Sequence, residues 1–182
     1  MTEERLKVLS DVQDHLEHDD IIYIKSKILE TLLSDPDIIE MLDNQELIRQ
    51  EAIPEDYYGV NIFSFLKIPD TQSTVKNYIC FDVNDTEPAY YNNLMVTKQV
   101  IFRCASHEQS VFTKYGIDRQ DILGYLVKDD FQWHNKCGYQ MKKTYDGGRI
   151  AENGFYYREL HFQIVMPSGY IQKVKADASH RY

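Results

Sequence analysis

Near residue 60 the hydrophobic repeat changes its period, and that change limits the folds open to this chain. Before it, Ile21, Ile24, Ile28 and Leu32 recur at three-to-four spacing, with Leu29 widening the same stripe. That is the repeat of a helix with one apolar face. After it, stretches 62–68, 78–83, 95–104 and 155–165 read as strands, with one further helix between the third and fourth. Helices, three strands, a helix and two more strands fit neither a helical bundle nor a regular βαβ array. The order predicts an α+β fold, a mainly antiparallel sheet with helices packed on one face.

Local signals set the expected boundaries. A helix over 20–33 would be capped by Asp19 or Asp20. Ser34-Asp35-Pro36 reads as a stop and a new start, with Asp35 as cap and Pro36 in the first turn of a helix through Leu42. Stretch 43–60, with Pro54 and Gly59, reads as a connector. The strand over 62–68 ends at Pro69, and the polar stretch 84–93 reads as a loop. Val96, Val100 and Phe102 share one parity in the third strand. Closeness in sequence makes the first three strands antiparallel neighbours.

A helix over 118–127 follows Gly116, with Asp118 as cap and Ile122, Leu123, Leu126 and Val127 as its stripe. Stretch 139–145 is strand-like, and Asp146-Gly147-Gly148 is a turn signal. In the final strand Tyr156, Arg158, Leu160, Phe162 and Ile164 alternate with Tyr157, Glu159, His161, Gln163 and Val165, which gives one apolar and one hydrogen-bond-rich face. Leu6, Leu9, Val12 and Leu16 place a thin apolar stripe on a helical extension over 1–19. The expected organisation is that extension, an α+β domain over 20–166, and a polar arm over 167–182 that orders when a neighbour receives it.

Composition narrows the function classes. The 182 residues include 43% hydrophobic ones, enough for a packed core without disulfides or metals. Residues 1–60 carry 16 acids and 5 bases, a net of −11, and residues 61–182 carry 13 acids and 15 bases, a net of +2. The total of −9 argues against a sequence-reading nucleic-acid binder, which carries a basic stripe. No apolar run approaches membrane-spanning length, and the N-terminus Met1-Thr2-Glu3-Glu4-Arg5 has no apolar signal region. Cys80, Cys104 and Cys137 are odd in number and lie outside any CxxC pattern. The expected setting is the reducing cytoplasm. Tyr is abundant, with 14 residues beside 8 Phe, and suits interfaces because its ring is apolar and its tip stays wet.

Constellations for catalysis are weak. His15 and His18 lie three apart among Asp14, Glu17, Asp19 and Asp20, but a third neutral ligand is missing and a solvated helix face explains them better. His134 and Cys137 fit a turn before a strand. Cys80 and Cys104 sit inside apolar strands, where a free Cys acts as a small hydrophobe, and His107 ends the strand. Asp146-Gly147-Gly148-Arg149 has no helix N-terminus behind it and reads as a hairpin turn rather than a phosphate cradle. Asp70 and Asp82 at strand ends are the one carboxylate pair a two-metal nuclease could use, but Asp82-Val83-Asn84 lacks the lysine such cores carry.

The helix Ile24-Lys25-Ser26-Lys27-Ile28-Leu29-Glu30-Thr31-Leu32-Leu33-Ser34-Asp35-Pro36, the strand signals Ile62-Phe63, Ile68-Pro69-Asp70 and Ile79-Cys80-Phe81-Asp82-Val83, and the stretch Val100-Ile101-Phe102-Arg103-Cys104-Ala105-Ser106-His107 form a recognisable layout. Tyr115-Gly116-Ile117-Asp118-Arg119-Gln120-Asp121-Ile122 and Gly154-Phe155-Tyr156-Tyr157-Arg158-Glu159-Leu160-His161-Phe162 continue it. Over about residues 20–165 it resembles the neck and tail-completion proteins of tailed bacteriophages, most of all the tail terminator type. The extensions at both ends depart from that type and leave a head-closure protein as the alternative.

The resemblance implies a structural virion protein without catalysis or cofactors. Six copies would form a ring that caps the tail tube, stops its growth and joins the head connector, with DNA passing through the lumen and no membrane involved. It would assemble in the host cytoplasm and reside in the virion neck. The acids of the first 60 residues would repel passing phosphate if they face the lumen. Strand tips and terminal arms are the expected contacts between copies, with Tyr145, Arg149, Tyr156, Arg158, Tyr170 and Lys173 as candidate interface residues. A metal-dependent nuclease or a monomeric adaptor would be the competing readings.

Overall fold

The computed structural model describes residues 20–66, 76–86, 95–150 and 154–167. Helix α1 spans Asp20–Ser34, and its buried residues Ile24, Ile28, Thr31 and Leu32 follow the expected stripe. Asp20 is the first residue of this helix, and its carboxylate meets Lys98 at 2.8 Å. Helix α2, Pro36–Leu42, starts as the sequence predicts: Asp35 accepts hydrogen bonds from the backbone N–H groups of Asp37 and Ile38, and Pro36 occupies the first turn. Asp43 ends it in the left-handed conformation, φ 48°.

The expected connector is more ordered than its composition implies. Asn44 caps a short helix α3, Gln45–Arg49, and a 3-10 turn follows over Pro54–Tyr57. Local capping builds both, where a search for hydrophobic period finds only a mixed segment. Helix α4, Arg119–Phe131, runs four residues beyond the expected end and buries Leu123, Val127 and Phe131. Asp118 precedes it, but its side chain makes no capping bond.

The five strands are β1 (Ile62–Phe63), β2 (Tyr78–Asp85), β3 (Met95–His107), β4 (Met141–Ile150) and β5 (Phe155–Pro167). They pair in the order β1-β2-β3-β5-β4. All pairs are antiparallel except β1 with β2, which is parallel, contrary to the expected arrangement of the first three strands. Fourteen residues, 64–77, connect the two strands, enough to return the chain to the same end as a parallel pair requires. There Asn61 donates its amide to the Asn77 carbonyl at 2.7 Å, and the Ile79 N–H donates to the Asn61 carbonyl at 2.8 Å. Strand character lasts two residues in β1, and Ser64 and Phe65 already bend away. The expected continuation to Ile68, the end at Pro69 and most of the 84–93 loop lie outside the described residues, although Asn84 and Asp85 extend β2.

The turn expected at Asp146-Gly147-Gly148 is absent. These residues continue β4, opposite Leu160, Glu159 and Arg158 of β5. Gly147 meets a spatial need here rather than a turn: a Cβ on it would run into the Tyr145 hydroxyl, whereas one on Gly148 would meet open space. A register shift between Lys143 and Tyr145 changes the faces of β4, putting Tyr145 opposite His161 and Asp146 opposite Leu160.

The helices cover one face of the sheet. Phe81, Val100, Phe102, Leu160, Phe162 and Ile164 point from alternate strand positions into α1, α2 and α4. Phe102 sits at the centre, with ring centroids 6.0 Å from Phe81, 5.1 Å from Phe131 and 5.6 Å from Phe162. Such pairs add about 0.5–1.5 kcal/mol each beyond area burial. Cys104 shares this parity and is fully buried. A smaller cluster of Phe63, Tyr78, Cys80, Ala105 and Phe155 covers one end of the opposite face.

Candidate functional site

A buried polar lock organises one end of the molecule. Asn44 accepts from the N–H groups of Glu46 and Leu47 and donates to Asn61 Oδ1 at 2.6 Å. Asn77 donates to the Leu42 carbonyl at 3.1 Å and accepts from Ser110 Oγ at 2.6 Å. Arg119, the first residue of α4, reaches back across the chain. Its guanidinium donates to the Met41 carbonyl at 2.8 Å, the Ser110 carbonyl at 2.8 Å and Asp43 Oδ2 at 3.1 Å. One side chain thereby supplies the donors that the C-terminus of α2 lacks. Each such bond contributes about 1 kcal/mol net, and a buried partner left alone costs about 1–3 kcal/mol.

The lock holds the loop between β3 and α4 in one shape. Val111 is buried, and its carbonyl accepts from the Arg119 N–H at 2.8 Å. Phe112 bridges to Asp118, and Thr113 Oγ1 donates to the Ile117 carbonyl at 2.6 Å. Gly116 takes φ +70°, which a glycine adopts at no steric cost, and closes the turn onto the Thr113 carbonyl at 3.2 Å. The fixed loop displays apolar side chains to water: Phe112 is 84% exposed, and Tyr115 and Ile117 are 54% exposed. Lys114 lies over the Tyr115 ring and 4.0 Å from Glu40. A cavity of about 220 Å³ separates the loop from Glu40, Met41 and Asp43. Apolar tips on a fixed backbone can bind a surface with little loss of loop entropy.

A second feature follows the other end of α4. Trp133 is 53% exposed and takes φ 66°, a left-handed conformation uncommon for a bulky residue. Holding it there costs roughly 1–3 kcal/mol. Its N–H donates to the Met141 carbonyl at 2.8 Å, and its carbonyl accepts from Gln140 at 3.2 Å.

The sheet face away from the helices carries a row of charge and aromatic rings. Arg103 Nε meets Glu159 at 2.6 Å, Glu159 meets His161 at 2.9 Å, and His161 lies 4.9 Å from the Tyr145 ring. Arg103 also sits over Tyr157. Burial raises the Glu159 pKa, but the bonds from Arg103 and His161 outweigh it and hold the carboxyl below its usual value. In β3, opposite Asp85 at the end of β2, Lys98 is buried between Asp20 and Asp85; burial lowers its pKa, and those two carboxylates more than restore it.

The residues singled out from the sequence separate in space. Tyr145 belongs to the charged row, and Tyr156 is exposed at the start of β5. Arg158 is bound to β4 by two bonds to Asp146 and to α4 by one to the Asp121 carbonyl. Arg149 pairs with Tyr157 in the β4–β5 ladder. Tyr170 and Lys173 lie outside the described residues, as do Asp70, His15 and His18. Asp82 is mid-strand rather than at a strand end, and Lys25 binds it at 2.6 Å. His134 Nδ1 donates to the Asp130 carbonyl at 2.8 Å, and Cys137 beside it is fully buried. Among the described residues no group of three or more His, Cys, Asp or Glu is placed to hold a metal, and no helix is long and apolar enough to cross a membrane.

Phe112, Tyr115, Ile117 and Trp133 escaped the sequence reading. Their signal is an apolar-rich segment, Val111 to Ile117, placed between a strand end and a helix start and interrupted by Gly116.

A family model named YomW matches residues 27–164, from the middle of α1 to the last part of β5. The chain belongs to the YomW family. YomW is a phage-derived family, so the chain is a phage-associated protein. The YomW match takes in both exposed features at the ends of α4 and the whole polar lock. Comparison with curated proteins gave no match.

Proposed function

We propose that this chain is a structural protein of the phage neck, of the tail terminator type: copies form a ring that caps the tail tube and joins it to the head connector. Three things support the reading. They are the phage-derived family, the order of elements shared with that type, and a fixed apolar loop built for contact. The loop carries the most weight. Three large apolar side chains more than half exposed within six residues fit a surface that is covered in an assembly. In this reading the chain performs no catalysis, DNA is only a passenger in the lumen, and six copies close the ring.

Deleting the gene from the phage tests it. Overlong tails without heads are the expected particles, and cryo-electron microscopy of intact particles should place the chain as a ring at the tail top. Filled heads that leak DNA beside tails of normal length would instead favour head closure. Normal particles lacking this chain would overturn a virion role. Cleavage of DNA with Mg²⁺ or Mn²⁺, abolished by Asp82→Ala, would overturn the assignment of no catalysis.

A further inference from the structure

The polar lock holds more hydrogen-bond donors than its own bonds use. A cavity of about 330 Å³ opens between the α2–α3 junction, the residues ahead of β1 and β2, and the β3–α4 loop. Asn44, Asn61 and Asn77 line it, and each is more than nine-tenths buried. A side-chain amide nitrogen carries two hydrogens. Asn44 gives one to Asn61 Oδ1, Asn61 one to the Asn77 carbonyl and Asn77 one to the Leu42 carbonyl. Among the described residues no acceptor takes the second hydrogen of any of the three. Holding the lock together therefore explains only half of these donors.

The rim adds charge. Arg49, in the last turn of α3, and Lys76, ahead of β2, border the same cavity. Most of the described cations reach a carboxylate, but these two reach none among the described residues. That is unexpected in a chain of net charge −9. Two acids also border the cavity. Asp43 is taken up by Arg119 and Gln45, which leaves Glu46 against two cations.

We infer that this cavity binds a small phosphate monoester, its phosphate between Arg49 and Lys76 and its body against the asparagine amides. A phosphate monoester brings several acceptor oxygens and a charge of about −1.5 to −2, which suits two cations beside neutral donors. The volume lies at the small end of ligand sites and exceeds what a bare anion fills, so the ligand has a compact organic part. Its polar atoms would give the spare amide hydrogens the acceptors that a buried donor requires. One chain forms the whole site, so the inference stands apart from the ring reading.

Titration of the full chain by NMR tests it, with AMP and ribose 5-phosphate as probes and adenosine as the phosphate-free control. The side-chain NH₂ signals of Asn44, Asn61 and Asn77 should shift with either phosphate and stay in place with adenosine. Arg49→Gln and Lys76→Gln remove charges that no carboxylate holds, so urea midpoints should be unchanged while each weakens binding about tenfold. Glu46→Gln should tighten binding by removing the opposing charge. Amide signals that neither phosphate moves, or binding that both charge variants leave intact, overturn the site. An equal response to adenosine overturns the role of the phosphate. A DNA duplex that moves these signals where AMP does not assigns the two cations to a nucleic-acid backbone and overturns the small ligand. Particle images decide the ring whichever result is obtained.

Discussion

Arg158 grips Asp146 through two nitrogens, Nε to Oδ1 at 2.7 Å and Nη2 to Oδ2 at 2.9 Å, while Nη1 donates to the Asp121 carbonyl at 3.0 Å. The pair joins β5 to β4 and ties both to α4. Lys143 adds a contact to the same carboxylate at 2.6 Å.

The first prediction concerns acid. The bond from Arg158, and then Lys143, hold the Asp146 carboxyl down at about 2. A folded-state pKa below the unfolded value means stability that is complete above about pH 4 and is lost as pH falls toward 2. Asp146→Asn should cost about 1–2 kcal/mol at pH 7 and almost nothing at pH 2. Urea midpoints of both proteins at the two pH values check this; equal losses at both would show the charge is irrelevant.

The second prediction concerns the fit of α4 on this pair. A Cβ on Gly124 would stand 2.6 Å from Arg158 Cδ and 3.1 Å from its Nε. Alanine favours the helix by about 1 kcal/mol, but Arg158 is tied at three atoms and yields poorly. Gly124→Ala should therefore destabilise by about 1–3 kcal/mol. In an Arg158→Ala background the same change should be neutral or stabilising, a coupling that a double-mutant cycle measures.

The third prediction tests the polar lock. Arg119→Met keeps the volume but leaves the carbonyls of Met41 and Ser110 without their donor. The expected loss is about 2–4 kcal/mol, read from denaturant midpoints. Amide exchange should also quicken in the 111–118 loop before it does in β3.

Thiol reactivity supplies the fourth. Cys80, Cys104 and Cys137 are all fully buried. Burial pushes the Cys104 thiol far up and the Cys137 thiol up to about 12. A thiolate reagent should label none of them in the native protein, and the slow rate should follow unfolding. Rapid labelling of any one would mean that its strand opens locally.

The sequence displayed the α+β order because burial repeats with the period of each element. Ile24, Ile28 and Leu32 lie on one helical face, and Leu160, Phe162 and Ile164 lie on one strand face. What it hid depended on partners far along the chain. The parallel start of β1 and β2 depends on where a fourteen-residue connection returns the chain, beside an Asn61–Asn77 bond, and no periodicity reveals that. Gly147 and Gly148 carry a turn's composition yet lie inside a strand, and at Gly147 Tyr145 occupies the space a side chain would fill. The candidate surface was the least legible. Exposure of Phe112 follows from a loop held by Arg119, and an apolar residue in a sequence reads first as core.

Both lateral borders of the sheet are guarded against strand addition. At β2, beyond the two residues of β1, Lys25 lies across the border, bonded to Asp82 and to the Ser64 carbonyl. At β4, exposed Lys142 and the shifted register at Lys143 interrupt what would otherwise be a flat template. An edge strand left open offers its backbone groups to any similar strand. Closing the sheet's borders confines association to side-chain patches, so the stoichiometry of any assembly is set by geometry rather than by the open-ended growth of a fibril.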